Sequence, residues 1–266
     1  MPPRSANITV MVQAAQKAVR PLLRDLGEIE NLQVSIKGPG DFVSAADRRA
    51  EETIRRELSR ARPDYGFLLE EGGEVPGRDG GEHRGIVDPL DGTTNFLPGV
   101  PHFAISIALE RRGELIAGVI YDPVKDELFT AERGMGAYMN DRRIRVSGRT
   151  ELAHALIGTG IPVLDWEGRD RGFLAQLDRI SAQVAGIRRL GTCSLDLAYV
   201  AAGRFDGFWE FGVYPWDIAA GIVLIREAGG MVTRLEGDDD LLARGTLVAG
   251  NRGIFPKLVE LVRAAG

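Results

Sequence analysis

Four acidic residues stand where an apolar run gives way to a turn or a helix start: Glu70, Asp88, Asp91 and Asp217. Asp88 and Asp91 lie three apart in Ile86-Val87-Asp88-Pro89-Leu90-Asp91-Gly92-Thr93-Thr94-Asn95-Phe96. Ile86-Val87 reads as the end of a buried strand, where Pro89 forbids further ladder pairing. Asp91-Gly92 reads as a turn, and Thr93-Thr94-Asn95 supply the hydroxyl and amide groups that cap helices. Taken alone, each acid has a plainer reading. Asp91-Gly92 is a hairpin turn, Asp217 an N-cap, Glu70 a solvated side chain. Asp47, in Ser44-Ala45-Ala46-Asp47, has the form of a capping-box carboxylate. Grouped, an all-oxygen set of this kind suits Mg²⁺ or Mn²⁺. Two such ions roughly 3.5–4 Å apart would bridge a phosphate and acidify a bound water. A threonine hydroxyl beside an acid could orient that water, and the N–H groups of Gly92 and Thr93 could grip phosphate oxygens.

Other chemistries lose support. The alternating ligands of an EF-hand are missing, and His83, His102 and His154 do not pair at zinc spacing. There is no P-loop, and Gly158-Thr159-Gly160 lacks the rest of a dinucleotide fingerprint. Ser194 has no evident histidine partner, and Cys193 reads as a small packed residue. The 266 residues carry a net charge of −5, which does not favour nucleic acid as the main ligand. A single cysteine excludes an internal disulfide and fits a reducing compartment; no apolar run is long enough to span a bilayer, so a cytoplasmic protein is expected.

The elements that must position these residues follow from periodicity. Residues 7–27 have a helical stripe, with Pro21 expected to kink or shorten it and Gly27 to stop it; 31–36 alternate as a strand, and Lys37-Gly38-Pro39-Gly40 reads as a loop. A helix is expected over 44–61 and a short strand over 65–69, then a polar surface excursion over 72–82. Strands at 103–110, 114–122 and 127–130 have the turn spacing of an antiparallel meander, with two more near 137–139 and 143–146. Beyond a soft boundary near 147–150 the pattern alternates β and α: strands near 154–158, 205–211, 230–234 and 246–249, helices near 172–185, 195–202, 217–228 and 255–265. Asp238-Asp239-Asp240 reads as a solvated turn. The fold class is therefore α+β in the first half (1–147) and α/β in the second (148–266).

The run Asp88–Phe96 and the run Trp216-Asp217-Ile218-Ala219-Ala220-Gly221 resemble the two signatures of the inositol monophosphatase family. The likeness extends to Asp41–Asp47, Glu70-Glu71, Gly191-Thr192-Cys193-Ser194 and Glu210, in order and over nearly the whole chain. What the resemblance implies is a layered αβαβα sandwich of the sugar-phosphatase type, usually a homodimer, lithium-sensitive and dependent on two or three Mg²⁺. Glu70, Asp88 and the Leu90 carbonyl would hold the first ion, and Asp88, Asp91 and Asp217 the second. A third would sit near Glu70, with Asp47 reaching it through water. Thr93, paired with Asp47, and Glu70 would be catalytic. Gly92 and Thr93 would bind phosphate, Asp91, Asp217, Glu210 and Gly191-Thr192-Cys193 would face the rest of the substrate, and Lys37 would belong to a loop closing over the metals. The expected substrate is a small phosphate monoester, myo-inositol 1-phosphate or a related sugar-alcohol phosphate. The same mechanism would also serve fructose 1,6-bisphosphate, a nucleotide 3′-phosphate, histidinol phosphate or NADP. Glu210 favours a polyol, because a carboxylate accepts from vicinal hydroxyls and repels a second phosphate. A role as a binding module for transcription or ribosomal-RNA machinery is the alternative from another class. Three positions depart from the family pattern: Gly85 where Trp is common, Gly72 where Ser is common, and Cys193 where Ala is usual.

Overall fold

The computed structural model describes residues 4–26, 34–38, 41–161, 171–237, 240–243 and 245–263. The expected helix stop at Gly27, the start of the 31–36 strand, the Pro39-Gly40 half of the loop and Asp238-Asp239 lie outside them. In chain order the elements are α1 (Ala6–Leu26), β1 (Val34–Gly38), β2 (Asp41–Ser44), α2 (Ala45–Ala61), β3 (Gly66–Leu69), β4 (Gly73–Val75), β5 (His83–Asp91) and α3 (Thr93–Phe96). Then come β6 (Ala104–Arg111), β7 (Glu114–Asp122), β8 (Glu127–Glu132), β9 (Gly136–Met139), β10 (Arg142–Ile144) and β11 (Leu156–Thr159). The chain ends with α4 (Arg171–Ser181), β12 (Gly186–Arg188), α5 (Cys193–Ala201), β13 (Gly207–Val213), α6 (Pro215–Glu227), β14 (Met231–Arg234), β15 (Gly245–Gly250) and α7 (Phe255–Arg263).

Two large sheets and three helical layers alternate, and β1 and β2 form a separate two-stranded sheet. An eight-stranded sheet runs β10-β9-β8-β7-β6-β5-β3-β4, antiparallel except for β3 beside β5. A five-stranded sheet runs β12-β11-β13-β15-β14, with β11 parallel to both of its neighbours. The layer order can be read from alternation, since successive strand residues face opposite sides. On β6, Ile105, Ile107 and Leu109 pack with α1 and α2, while Ala104 and Ala108 pack with α5 and α6. On the small sheet Phe208, Leu247 and Ala249 join that inner core, whereas Trp209 and Val248 join an outer core with α4 and α7. The result is the αβαβα sandwich. Helices α5 and α6 are buried from end to end of their apolar stretches, as a layer covered on both faces requires. Gly118 lets α6 approach the large sheet, because a Cβ there would lie 2.6 Å from the Ala220 carbonyl oxygen.

Four local expectations change. Pro21 sits inside α1, which continues to Leu26, so it does not shorten the helix; the ring is accommodated in the last turns. The excursion over 72–82 contains β4, paired with β3 through Phe67, Leu68 and Leu69. Pro89 does not end its strand. β5 runs on to Asp91 with a register break between Asp88 and Asp91, and a bulge is where a strand tolerates proline. Lys37 lies within β1, which forms a hairpin with β2. The space left by Gly85 is taken by the Phe67 ring, whose Cδ1 would lie 3.0 Å from a Cβ at that position.

Candidate active site

The bulge at the end of β5 aims successive groups to one side of the sheet. Asp88 Oδ1 accepts the Leu90 N–H at 2.9 Å, which fixes the bulge from within. Gly92 then takes φ 95°, a conformation that suits glycine, and α3 starts without a side-chain cap. The Thr93 hydroxyl is therefore not spent on capping. It lies 2.9 Å from the Leu90 carbonyl oxygen and 3.4 Å from Asp47 Oδ2. Asp47 is fully buried in the first turn of α2. One turn on, Glu51 Oε2 accepts the Glu71 N–H at 2.8 Å, so one face of α2 fixes the backbone just beyond β3. Carboxylate oxygens from Asp47, Glu70 and Glu71 lie within 4.8 Å of one another.

Asp91 and Asp217 come from adjacent layers, the large sheet and the central helices. Asp91 Oδ2 accepts both the N–H and the hydroxyl of Ser194, at 2.7 and 2.5 Å, at the start of α5. Asp217 stands in the first turn of α6, after Pro215, and its Oδ2 accepts the Tyr214 N–H at 2.8 Å. Asn95, buried, donates to the carbonyls of His102 and Leu190 at 2.9 Å each, tying the loop after α3 to the Gly191 turn. Thr192 Oγ1 donates to the same His102 carbonyl at 3.0 Å. A Cβ on Gly92 would fall 2.6 Å from that Thr192 oxygen, so the Asp91-Gly92 turn and the α5 start fit only with glycine between them.

The electrostatics are those of acids crowded together. Burial first, then Glu70, Asp91, Asp217 and Asp47, hold the Asp88 carboxyl well above the ordinary aspartate range. Burial and then Asp91 push Asp217 up in the same way. Asp91 is raised by burial to about 6, against the lowering effect of its Ser194 hydrogen bonds. Glu210, on β13, is raised by burial and by Asp91 to about 7, opposed by a hydrogen bond with Cys193. A cation among these groups would relieve the repulsion, and oxygen donors alone are what a hard divalent ion takes. The residues present therefore fit such an ion.

Asp91, Thr159, Gly160, Arg189, Gly191, Thr192, Cys193, Asp196, Glu210 and Asp217 enclose a cavity of about 140 Å³. Of the residues singled out in the sequence, the structure gathers Asp47 and Glu70 at one end. It gathers Gly191, Thr192, Cys193 and Glu210 around the cavity, with Asp91 and Asp217 in its wall. Gly92 packs beneath Thr192 rather than lining the cavity. Sequence reasoning overlooked several contributors. Ser194 is the anchor of Asp91, 103 residues away, and no local pattern announces that. Glu71 joins the acidic cluster. Gly160 makes room for Glu210, since a Cβ there would fall within 2.5 Å of both of its carboxylate oxygens; the only signal in the sequence was the Gly-Thr-Gly run, which lacks the rest of a nucleotide fingerprint.

The inositol monophosphatase family profile matches residues 5–266. The chain belongs to the inositol monophosphatase family. It is 61% identical over 260 residues to an inositol-1-monophosphatase of Mesorhizobium japonicum, covering 98% of this chain and 97% of that one. A Nus factor SuhB of Pseudomonas aeruginosa is 45% identical over 96% of this chain and 95% of its own length. The crystal structure of the extragenic suppressor protein suhB from Bartonella henselae superposes with a TM-score of 0.93 at 57% identity, covering 97% and 99% of the two chains. Within this metal-dependent family, the acidic cluster of Asp47, Glu70 and Glu71 is a site able to take a metal ion. No helix among the described residues is long and apolar enough to cross a membrane.

Proposed function

We propose that the chain is a Mg²⁺-dependent phosphomonoesterase that hydrolyses myo-inositol 1-phosphate or a related sugar-alcohol phosphate. The observation that carries this reading is the crowding of Asp88 by Glu70, Asp91, Asp217 and Asp47, next to a small polar cavity that Asp91 and Asp217 line together with Glu210. Glu70, Asp88 and the Leu90 carbonyl would hold one ion, Asp88, Asp91 and Asp217 a second, and Glu70 with Asp47 a third; the same donors suit Mn²⁺. Bound ions supply charge neutralisation of the phosphate and acidify water. The Leu90 carbonyl accepts from Thr93 with one lone pair and has a second to offer.

Thr93 orients the nucleophile: its oxygen accepts from water while its proton rests on Asp47 Oδ2 or the Leu90 carbonyl. Glu70 receives the proton that the attacking water loses. The Gly92 and Thr93 N–H groups hold phosphate oxygens in line. Glu210, the Gly191 turn and Cys193 face the leaving alcohol, whose oxygen takes up a proton from water as its bond to phosphorus breaks; orthophosphate is the second product. A cavity of about 140 Å³ lined by acids favours a compact polyol over fructose 1,6-bisphosphate, a nucleotide 3′-phosphate or NADP. Histidinol phosphate, a smaller cation-bearing ester, belongs in the same assay.

The test is phosphate release from that panel of esters under Mg²⁺, Mn²⁺ and Li⁺ titration. Myo-inositol 1-phosphate should lead, Li⁺ should inhibit, and Asp91→Asn should remove turnover while leaving the melting transition cooperative. No hydrolysis of any ester would overturn the reading. The homodimer and a cytoplasmic setting belong to the same proposal and are checked by solution mass and by cell fractionation. Relatives named Nus factor SuhB support a second reading, binding to transcription machinery. Retention of protein partners by Asp91→Asn in a pull-down would separate that role from catalysis.

A further inference from the structure

The cavity holds a carboxylate that the mechanism does not use. Asp196 lies on α5, three residues after Cys193, only 1% exposed, and lines the same cavity as Glu210. Among the described residues no hydrogen-bond donor reaches its Oδ1. Its neighbours on the helix, Leu195, Leu197 and Ala198, are apolar and packed in the inner core, so an apolar side chain at 196 would be the cheaper choice for folding. Glu210 and Asp91 repel it, and the opposite charge acting on it is Arg189, which is exposed at the cavity mouth. A buried acceptor aimed into a polar cavity at a cost to stability is the pattern of a ligand contact.

We propose that Asp196 is a second hydroxyl-reading residue, accepting at Oδ1 a hydrogen bond from a polyol hydroxyl that Glu210 does not reach. The assignment rests on the polyol phosphatase reading above and narrows it. Acceptors on two elements, α5 and β13, grip the substrate from two sides, so the leaving alcohol must carry several hydroxyls and no second phosphate. Asp196 is a specificity-determining residue; it touches neither phosphate nor nucleophile.

The experiment compares the full-length protein with Asp196→Leu and Asp196→Asn, using myo-inositol 1-phosphate and phenyl phosphate, which has no hydroxyls to read. Asp196→Leu should raise KM for the inositol ester about tenfold or more while leaving phenyl phosphate kinetics unchanged. Asp196→Asn, which keeps an acceptor, should recover most of that loss. Neither variant should melt much lower than the parent, because among the described residues Oδ1 has no hydrogen bond to lose. Should Asp196→Leu fail to fold, a series of mono-deoxy inositol 1-phosphates on the parent and Asp196→Asn decides the matter: deletion of one hydroxyl must cost less in the variant. Equal losses on both esters, an unchanged preference, or identical deoxy costs in parent and variant would overturn the assignment alone. A parent protein that hydrolyses phenyl phosphate but no polyol ester would bring down the substrate reading, and this assignment with it.

Discussion

Gly160→Ala isolates Glu210 without touching it. The backbone at 160 is outside the left-handed region, so alanine brings no strain of its own there. Its methyl would lie within 2.5 Å of both Glu210 carboxylate oxygens, against an ordinary separation of roughly 3.5 Å. The carboxylate must then retreat by about 1 Å or more, or turn away. A charged hydrogen bond to a substrate hydroxyl contributes about 1.5–3 kcal/mol, or roughly 10- to 150-fold in binding. A displacement of about 1 Å is enough to forfeit most of that. The expected outcome is a KM for myo-inositol 1-phosphate raised about 10- to 100-fold. Phenyl phosphate, which offers Glu210 nothing, should be hydrolysed as before. Stability should stay level, since the carboxylate is the mobile end of its side chain and alanine lowers the entropy of the unfolded chain by about 0.4–1 kcal/mol. Steady-state kinetics on the two esters, with a thermal melt of each protein, reads all three quantities. An unchanged KM for the inositol ester would refute the placement of Glu210 against the polyol.

The crowded acids make a pH prediction with a definite sign. Asp91 is raised from 3.8 to about 6 and Glu210 from 4.5 to about 7, so the folded protein binds more protons than the unfolded chain between about pH 4 and 7. Stability of the cation-free protein should therefore fall as pH rises through that window, and excess Mg²⁺ should flatten the slope at its upper end; parallel melting curves with and without Mg²⁺ would contradict this. Thr93→Val should lower kcat by about 10²–10⁴-fold with little change in KM, measured as phosphate release at saturating Mg²⁺. Gly118→Ala should destabilise by about 1–3 kcal/mol in urea unfolding, because backbone rather than a flexible side chain occupies the space.

Much of the architecture could be read from periodicity. The meander β6–β8 was legible because turn residues punctuate apolar runs, and the second half because strand and helix patterns alternate there. What escaped was what tertiary context decides. Pro89 reads as a strand end, yet a bulge absorbs it. Gly73–Val75 has no strand pattern and pairs only because β3 presents an edge. For the site, the carboxylates that touch turns were visible as types in a spacing, and the family likeness supplied their grouping. Their supports were not. Ser194 holds Asp91, Asn95 joins two loops, and Gly160 clears space for Glu210, each through contacts that bridge between 50 and 103 positions. Asp196 carries no sequence signal, because spacing along a helix holds no information about the cavity beneath it.

The burial of α6 has a consequence for how the site behaves in time. Its first turn carries Asp217, and the next eight residues, Ile218–Ile225, are all buried between the two sheets. Local fraying cannot release such a helix, because both of its faces are core. Its amides should exchange with solvent only through global unfolding, whereas those of the exposed loop after α3 can open independently. One wall of the proposed cation site is thus built into a unit that opens only with the core. On the proposed function, motion that admits substrate or releases phosphate would come from the exposed loop after α3, next to Thr93, rather than from α6. Selection could tune turnover there without loosening the core that sets the position of Asp217.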